Sequence, residues 1–123
     1  MAPKGRTEKP QTRDADTAVN AVSLIGRVSS APETRELPSG DELVTFRLIV
    51  PRPPRTGGEG ERVRVDVIDV ACWSARTRRS ATRLETESVI RVEGSLRRRF
   101  FRSGGGAASR YEVEASTVAR VRP

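Results

Sequence analysis

Apolar residues in this chain recur at every second position over short stretches. Val22, Leu24, Gly26 and Val28 form one row, against Ala21, Ser23, Ile25 and Arg27. Val44, Phe46, Leu48 and Val50 form a second, with Thr45, Arg47 and Ile49 opposite. Ile90, Val92, Gly94 and Leu96 form a later one within Val89–Leu96. Successive side chains of a strand point to opposite faces, so each row is the inward face of a half-buried strand. Between the second and third rows, Val63, Val65 and Val67 start a further strand. Its parity changes near Val67-Ile68, where Ile68, Val70 and Cys72 take one face and Asp69, Ala71 and Trp73 the other. A bulge at that point accounts for the change. The last strand runs from Tyr111 to Val121. Gly26 inside the first strand predicts a bulge or a close backbone approach.

Ser74 to Leu84 is the one plausible helix, capped by Ser74 and carrying Ala75, Ala81 and Leu84 as its apolar contacts. Arg76, Arg78, Arg79 and Arg83 decorate it as a solvated surface. Pro32 to Gly40 reads as a polar excursion ending in a turn. Residues 51–61 hold three prolines and flexible glycines and read as a loop. Arg97–Ser109 reads as a second loop, with Gly104 to Gly106 as its turn. Five strands with a helix between the third and fourth is the layout of the OB-fold, an all-β, partly open Greek-key barrel. Residues 1–17 are polar and lack large apolar side chains, which predicts a disordered tail ahead of one domain at 18–123.

The composition excludes several function classes. The chain has 123 residues, with 23 basic and 16 acidic side chains and a net charge of +7. Only Lys4 and Lys9 are lysines; the other basic residues are arginines, whose planar fork fits phosphate and whose face stacks on rings. A surface this basic points to a polyanionic partner. No apolar run approaches membrane-spanning length, so nucleic acid is favoured over a membrane. There is no histidine, which removes the usual general base and most zinc sites. Cys72 is the only cysteine and reads as a buried thiol, so no intrachain disulfide forms. The acids are spread along the chain, with no paired-carboxylate acid/base site or metal site. The expectation is a cytoplasmic, nucleoid-associated binding protein with no enzymatic activity, no cofactor, no metal and no small-molecule substrate.

The segment from Val89 to Gly106 carries the chemistry. It leaves Gly94, becomes strongly cationic, and presents Phe100 and Phe101 before its glycine turn. Guanidinium groups meet phosphates and an aromatic face meets a base. Trp73 and Phe101 are the candidate base platforms; the alternative for Trp73 is a core or helix-packing role. Phe100, on the opposite parity, is expected to turn inward, and Tyr111 to be structural. Arg97, Arg99, Arg102, Arg52 and Arg55 are candidate phosphate contacts, with Arg35, Arg47 and Arg110 as weaker ones. Asp69 and Glu93 are expected to pair with arginines.

Laid out this way, the chain resembles the bacterial single-stranded DNA-binding protein family from Asn20 to Val121. The pieces are Asn20-x-Val22-x-Leu24-Ile25-Gly26-Arg27-Val28, then Pro32-Glu33-x-Arg35 leading to Gly40, then Phe46-x-Leu48. The strand entering Trp73, Val92-Glu93-Gly94-x-Leu96-x-x-Arg99 and Arg110-Tyr111-x-x-Glu114 follow. Their order and spacing carry the resemblance; no single piece is specific. The arginine- and valine-rich flavour is similar to actinobacterial members.

The resemblance implies sequence-independent binding of single-stranded DNA in replication, recombination or repair, by a homotetramer of OB-folds. It maps the family's stacking positions near Pro54, Val67, Trp73 and Phe101, of which only the last two are aromatic here. It also implies an acidic C-terminal tail, where this chain ends in Arg120-Val121-Arg122-Pro123. That difference fits either a truncated chain or a tailless accessory paralogue. The alternatives are an accessory OB-fold protein of primosome or RNA-binding type, or a basic assembly subunit for an acidic protein partner.

Overall fold

The computed structural model describes residues 17–53 and 64–121. Its strands are β1 (Val22–Val28), β2 (Glu33–Glu36), β3 (Glu42–Pro51), β4 (Val65–Cys72), β5 (Val89–Ser103) and β6 (Gly106–Arg120). Helix α1 (Ala75–Thr82) joins β4 to β5. The sheet order is β1-β5-β6-β4-β3-β2, and an extra β1–β3 pairing closes it into a ring. This is the all-β OB-fold layout expected from the alternating rows.

Those rows form the core as expected. Val28, Val44, Phe46, Leu48, Val70, Ile90, Val92 and Val113 are all buried inside the ring, with Val22, Leu24, Val50 and Ile68 packed against them. Ser74 caps α1, its hydroxyl accepting from the Thr77 backbone N–H at 3.1 Å. Ala81 and Leu84 then join the core cluster beneath the helix. Arg76, Arg79 and Arg83 are exposed, while Arg78 folds back to donate to the Trp73 carbonyl. Gly26 is a point of close approach. A Cβ there would sit 2.3 Å from the Ile49 carbonyl oxygen, where β1 crosses from β5 to β3.

Two joins in the ring are short. β1 meets β3 through Arg27↔Ile49 and Val28↔Leu48 alone. β4 meets β6, in parallel, through Val70↔Val113 and Ala71↔Glu114 alone.

Four expectations need correction. The polar excursion at Pro32–Gly40 contains a sixth strand, β2, which pairs only with β3. All four of its residues are exposed, so no apolar row marked it. There is no bulge near Val67-Ile68. The β3–β4 ladder is regular from Val44↔Cys72 to Pro51↔Val65, and the parity changes because Val65 and Val67 lie on the solvent face. The register shift falls instead between Glu93 and Gly94, in the β5–β6 ladder.

The largest difference is Arg97–Ser109, which is not a loop. β5 and β6 stay paired from Arg97↔Glu112 to Ser103↔Gly106, making a long two-stranded arm with its turn at Gly104-Gly105. The arm runs past the ring, so the core-side parity has nothing to pack against there. Leu96, expected inside, is exposed just before the arm begins, although its partner Val113 is buried. The expected tail at residues 1–17 lies outside the described residues apart from Thr17, as do Pro54, Arg55 and Val63.

Candidate nucleic-acid interface

The outer face of the sheet gathers side chains from five strands. Arg35 on β2 sits across from Leu43, and Arg47 on β3 across from Asp69 on β4. Trp73 follows β4 directly. Arg97, Arg99 and Phe101 of β5 share this face with Arg110 and Glu112 of β6, because directly paired residues point the same way. A groove of about 350 Å³ crosses the face, lined among others by Arg35, Arg47, Trp73, Arg99, Phe101 and Arg110. Both expected platforms and four of the expected arginines therefore meet in one place.

Apart from Arg35, these arginines do not stand free. Arg47 Nε lies 3.3 Å from Asp69 Oδ1, and Arg110 Nη1 lies 3.7 Å from Asp69 Oδ2, so one carboxylate holds a guanidinium from each side. Arg99 Nε donates to Glu112 Oε2 at 2.6 Å, and Arg97 Nε to Glu114 Oε1 at 3.0 Å. Asp69 was anticipated as a partner. Glu112 and Glu114 are not legible as partners in the sequence, because their pairing follows from the register of an arm whose composition is that of a loop. The Glu93 carboxylate has no ion-pair partner among the described residues.

Arginines also cover the rings. Arg99 Cζ lies 4.7 Å from the centroid of Trp73, and Arg110 Cζ lies 5.1 Å from that of Phe101. A guanidinium over an aromatic face is held by the ring quadrupole, worth roughly 0.5–2 kcal/mol as solvent is removed. The Trp73 indole N–H is buried and unpartnered.

The other expected contacts lie apart. Arg52, at the foot of β3, donates two hydrogen bonds to Asp66 Oδ1 at 2.8 and 3.0 Å. That contact holds the Asp66 carboxyl below its ordinary pKa and raises the Arg52 guanidinium. Arg102 lies near the arm's tip on the opposite face to Phe101 and, like Arg35, has no ion-pair partner among the described residues. Arg55 lies outside the described residues.

Phe100 departs from expectation. Phe100 is 72% exposed and Phe101 39%. Phe100 shares the arm's second face with Arg98 and Tyr111, and Arg98 Cζ sits 5.0 and 5.7 Å from the two ring centroids. Phe100 lies on the strand parity that is core-facing earlier in β5, but it does not turn inward, because the core ends before reaching it. Asn20 was also missed as a structural device. Its side-chain amide donates to the Leu96 carbonyl at 2.9 Å and accepts from the Leu96 N–H at 2.8 Å, extending the β1–β5 ladder by one step.

Among the described residues, no cluster of acidic, cysteine or histidine side chains could hold a metal ion. No helix there is long and apolar enough to cross a membrane.

Comparison with known proteins agrees with this architecture. The chain is 33% identical over 88 residues to single-stranded DNA-binding protein 3 of Listeria innocua, covering 72% of this chain and 54% of that protein. It is 33% identical over 106 residues to single-stranded DNA-binding protein A of Bacillus subtilis, covering 85% of this chain and 60% of that one. It thus spans between half and two thirds of these curated relatives. A solved structure described as Plasmodium falciparum SSB in complex with ssDNA superposes with a TM-score of 0.74 at 21% identity, covering 86% of this chain and 97% of that one. That likeness shows the OB-fold. Residues 19–121 match the Single-strand binding protein family, and the chain belongs to it.

Proposed function

We propose that this protein binds single-stranded DNA with little sequence preference, in replication, recombination or repair. The observation that carries the reading is the outer-face groove, where Trp73 and Phe101 meet an array of arginines. Bases stack on Trp73 and Phe101. Phosphates are met by Arg35, Arg47, Arg97, Arg99 and Arg110, with Arg52, Arg55 and Arg102 extending the track. Binding is passive, without chemistry or cofactor, and takes place on the nucleoid in the cytoplasm. The names of the relatives support the same ligand.

Trp73 is the only tryptophan, so quenching by oligo(dT) reports binding directly. Affinity falls with salt at a log–log slope near −0.7 for each phosphate neutralised. Replacing both Trp73 and Phe101 by alanine weakens binding by about 1–3 kcal/mol for each base lost from its platform. Salt-independent binding, or equal preference for duplex, refutes the reading. Tighter binding of a matched RNA oligomer moves it to an RNA-binding OB-fold.

The active form is a homo-oligomer, as the resemblance to a tetrameric family suggests. Exposed Ile25, Val89, Leu96 and Tyr111 supply the apolar area that supports self-association. Light scattering of wild type and Leu96→Glu checks it. The variant has the lower mass, and a monomeric wild type refutes the proposal.

A further inference from the structure

Glu112 and Asp69 do more than decorate the groove. Each holds an arginine that would otherwise meet a phosphate, and that arginine lies over a ring that would otherwise meet a base; Asp69 holds Arg47 as well. Glu112 binds Arg99, which covers Trp73; Asp69 binds Arg110, which covers Phe101. The Glu112 side chain is only 12% exposed, so its bond to Arg99 at 2.6 Å is shielded from bulk water. Charge-assisted bonds of this kind are among the stronger ones, and shielding preserves them. Both units combine a carboxylate, a guanidinium and a ring, the Asp69–Arg110 contact being the longer at 3.7 Å.

We propose that Glu112 and Asp69 are specificity-determining residues that make the groove select single strands over other polyanions. The inference rests on the reading of this groove as a single-strand site. A ligand that offers only phosphates has to take Arg99 or Arg110 from a carboxylate, and it leaves Trp73 or Phe101 bare. The arginine exchanges one anion for another, so little is gained. A single strand offers a phosphate and an unpaired base together. The phosphate draws the guanidinium away and the base takes its place on the ring. Duplex DNA hides its base faces inside the stack and cannot complete the exchange. The carboxylates thereby suppress the sequence- and shape-blind attraction that a basic protein has for any polyanion.

The test compares oligo(dT) with a blunt random-sequence duplex, using wild type, Glu112→Gln, Asp69→Asn and Glu93→Gln. Glu93→Gln makes the same charge change at a carboxylate with no ion-pair partner among the described residues. Expected is a several-fold gain in duplex affinity for Glu112→Gln and Asp69→Asn, with a smaller gain for oligo(dT). The single-strand to duplex ratio then falls at least threefold. The duplex salt slope also steepens, by about 0.9 for each arginine newly neutralising a phosphate. Acrylamide quenching of free Trp73 rises in Glu112→Gln, and Glu112→Asp restores part of the ratio.

An unchanged or higher ratio in both variants overturns the inference. So does an equal fall in Glu93→Gln, since charge alone would then explain it. Circular dichroism checks folding. Asp69, the more exposed carboxylate, decides the question if Glu112→Gln does not fold. A wild type that ignores oligo(dT) refutes the groove's function; a wild type that binds it while both variants keep the ratio refutes only the carboxylate role.

Discussion

Replacing Gly94 by alanine tests the register shift between β5 and β6. A Cβ at this position would lie 2.0 Å from the Glu114 carbonyl oxygen, 2.9 Å from its carbon and 3.0 Å from the Ala115 Cα. All three atoms are backbone, so no side chain can swing aside. The oxygen has to retreat by about 1 Å to reach even 3.0 Å, below which real Cβ atoms essentially never approach. Its neighbours resist that movement. Val113 and Ala115 are both buried in the core, and Glu114 itself pairs with Ala71 of β4.

Overpacking of a core typically costs about 1–3 kcal/mol. With backbone as the obstacle, Gly94→Ala belongs at the top of that range, about 3 kcal/mol. A domain of this size loses ~3–6 °C of melting temperature per kcal/mol, which gives a fall of about 9–18 °C. Urea and thermal unfolding followed by Trp73 fluorescence measure it. Gly105→Ala is the control, because nothing lies within 4 Å of its added Cβ. A Gly94→Ala protein within about 0.5 kcal/mol of wild type, the range of neutral surface changes, would refute the steric argument.

Burial pushes the Cys72 thiol up to about 11, partly opposed by a hydrogen bond with Thr77. An unfolded thiol titrates near ~8.5, so between the two values the unfolded chain has already lost a proton that the native state keeps. Stability therefore falls as pH rises from about 8.5 toward 11, and Cys72→Ala flattens that part of the profile in pH-dependent urea melts. Asn20→Ala removes two hydrogen bonds to Leu96 and costs about 1–2 kcal/mol, with faster hydrogen exchange at the Leu96 amide as its local signature. Arg35→Ala flattens the salt slope for oligo(dT) by about 0.7 if that side chain meets one phosphate, and an unaltered slope removes it from the track.

Sequence periodicity revealed the elements that have one buried face. The inward rows of β1, β3, β4 and β5 and the capped helix were all legible, because burial forces apolar residues to one parity. β2 and the outer arm were not. Both faces of each meet solvent, so hydrogen bonding rather than burial holds them, and a hydrogen-bonded ladder leaves no apolar pattern. The composition of the arm, arginine and glycine around two phenylalanines, is that of a loop. Its register would have identified Glu112 and Glu114 as partners of Arg99 and Arg97, and it would have shown that Phe100 passes beyond the core. The groove's membership was legible from residue type, since Trp73, Phe101 and the arginines stood out. Its internal pairing was not, because it depends on which strands lie side by side.

The short parallel join between β4 and β6 has a consequence for how the protein breathes. With only Val70↔Val113 and Ala71↔Glu114 across it, this is, like the β1–β3 join, a natural place for the ring to part before the rest unfolds. The groove lies over that same join. Trp73 and Asp69 stand on one side of it, and Arg99, Arg110 and Glu112 on the other. A nucleotide strand laid across the groove would grip both banks at once and act as a suture. Amides along this join should then exchange more slowly in the complex than in the free protein, and occupancy would be read as mechanical closure of the barrel as well as retention of the ligand.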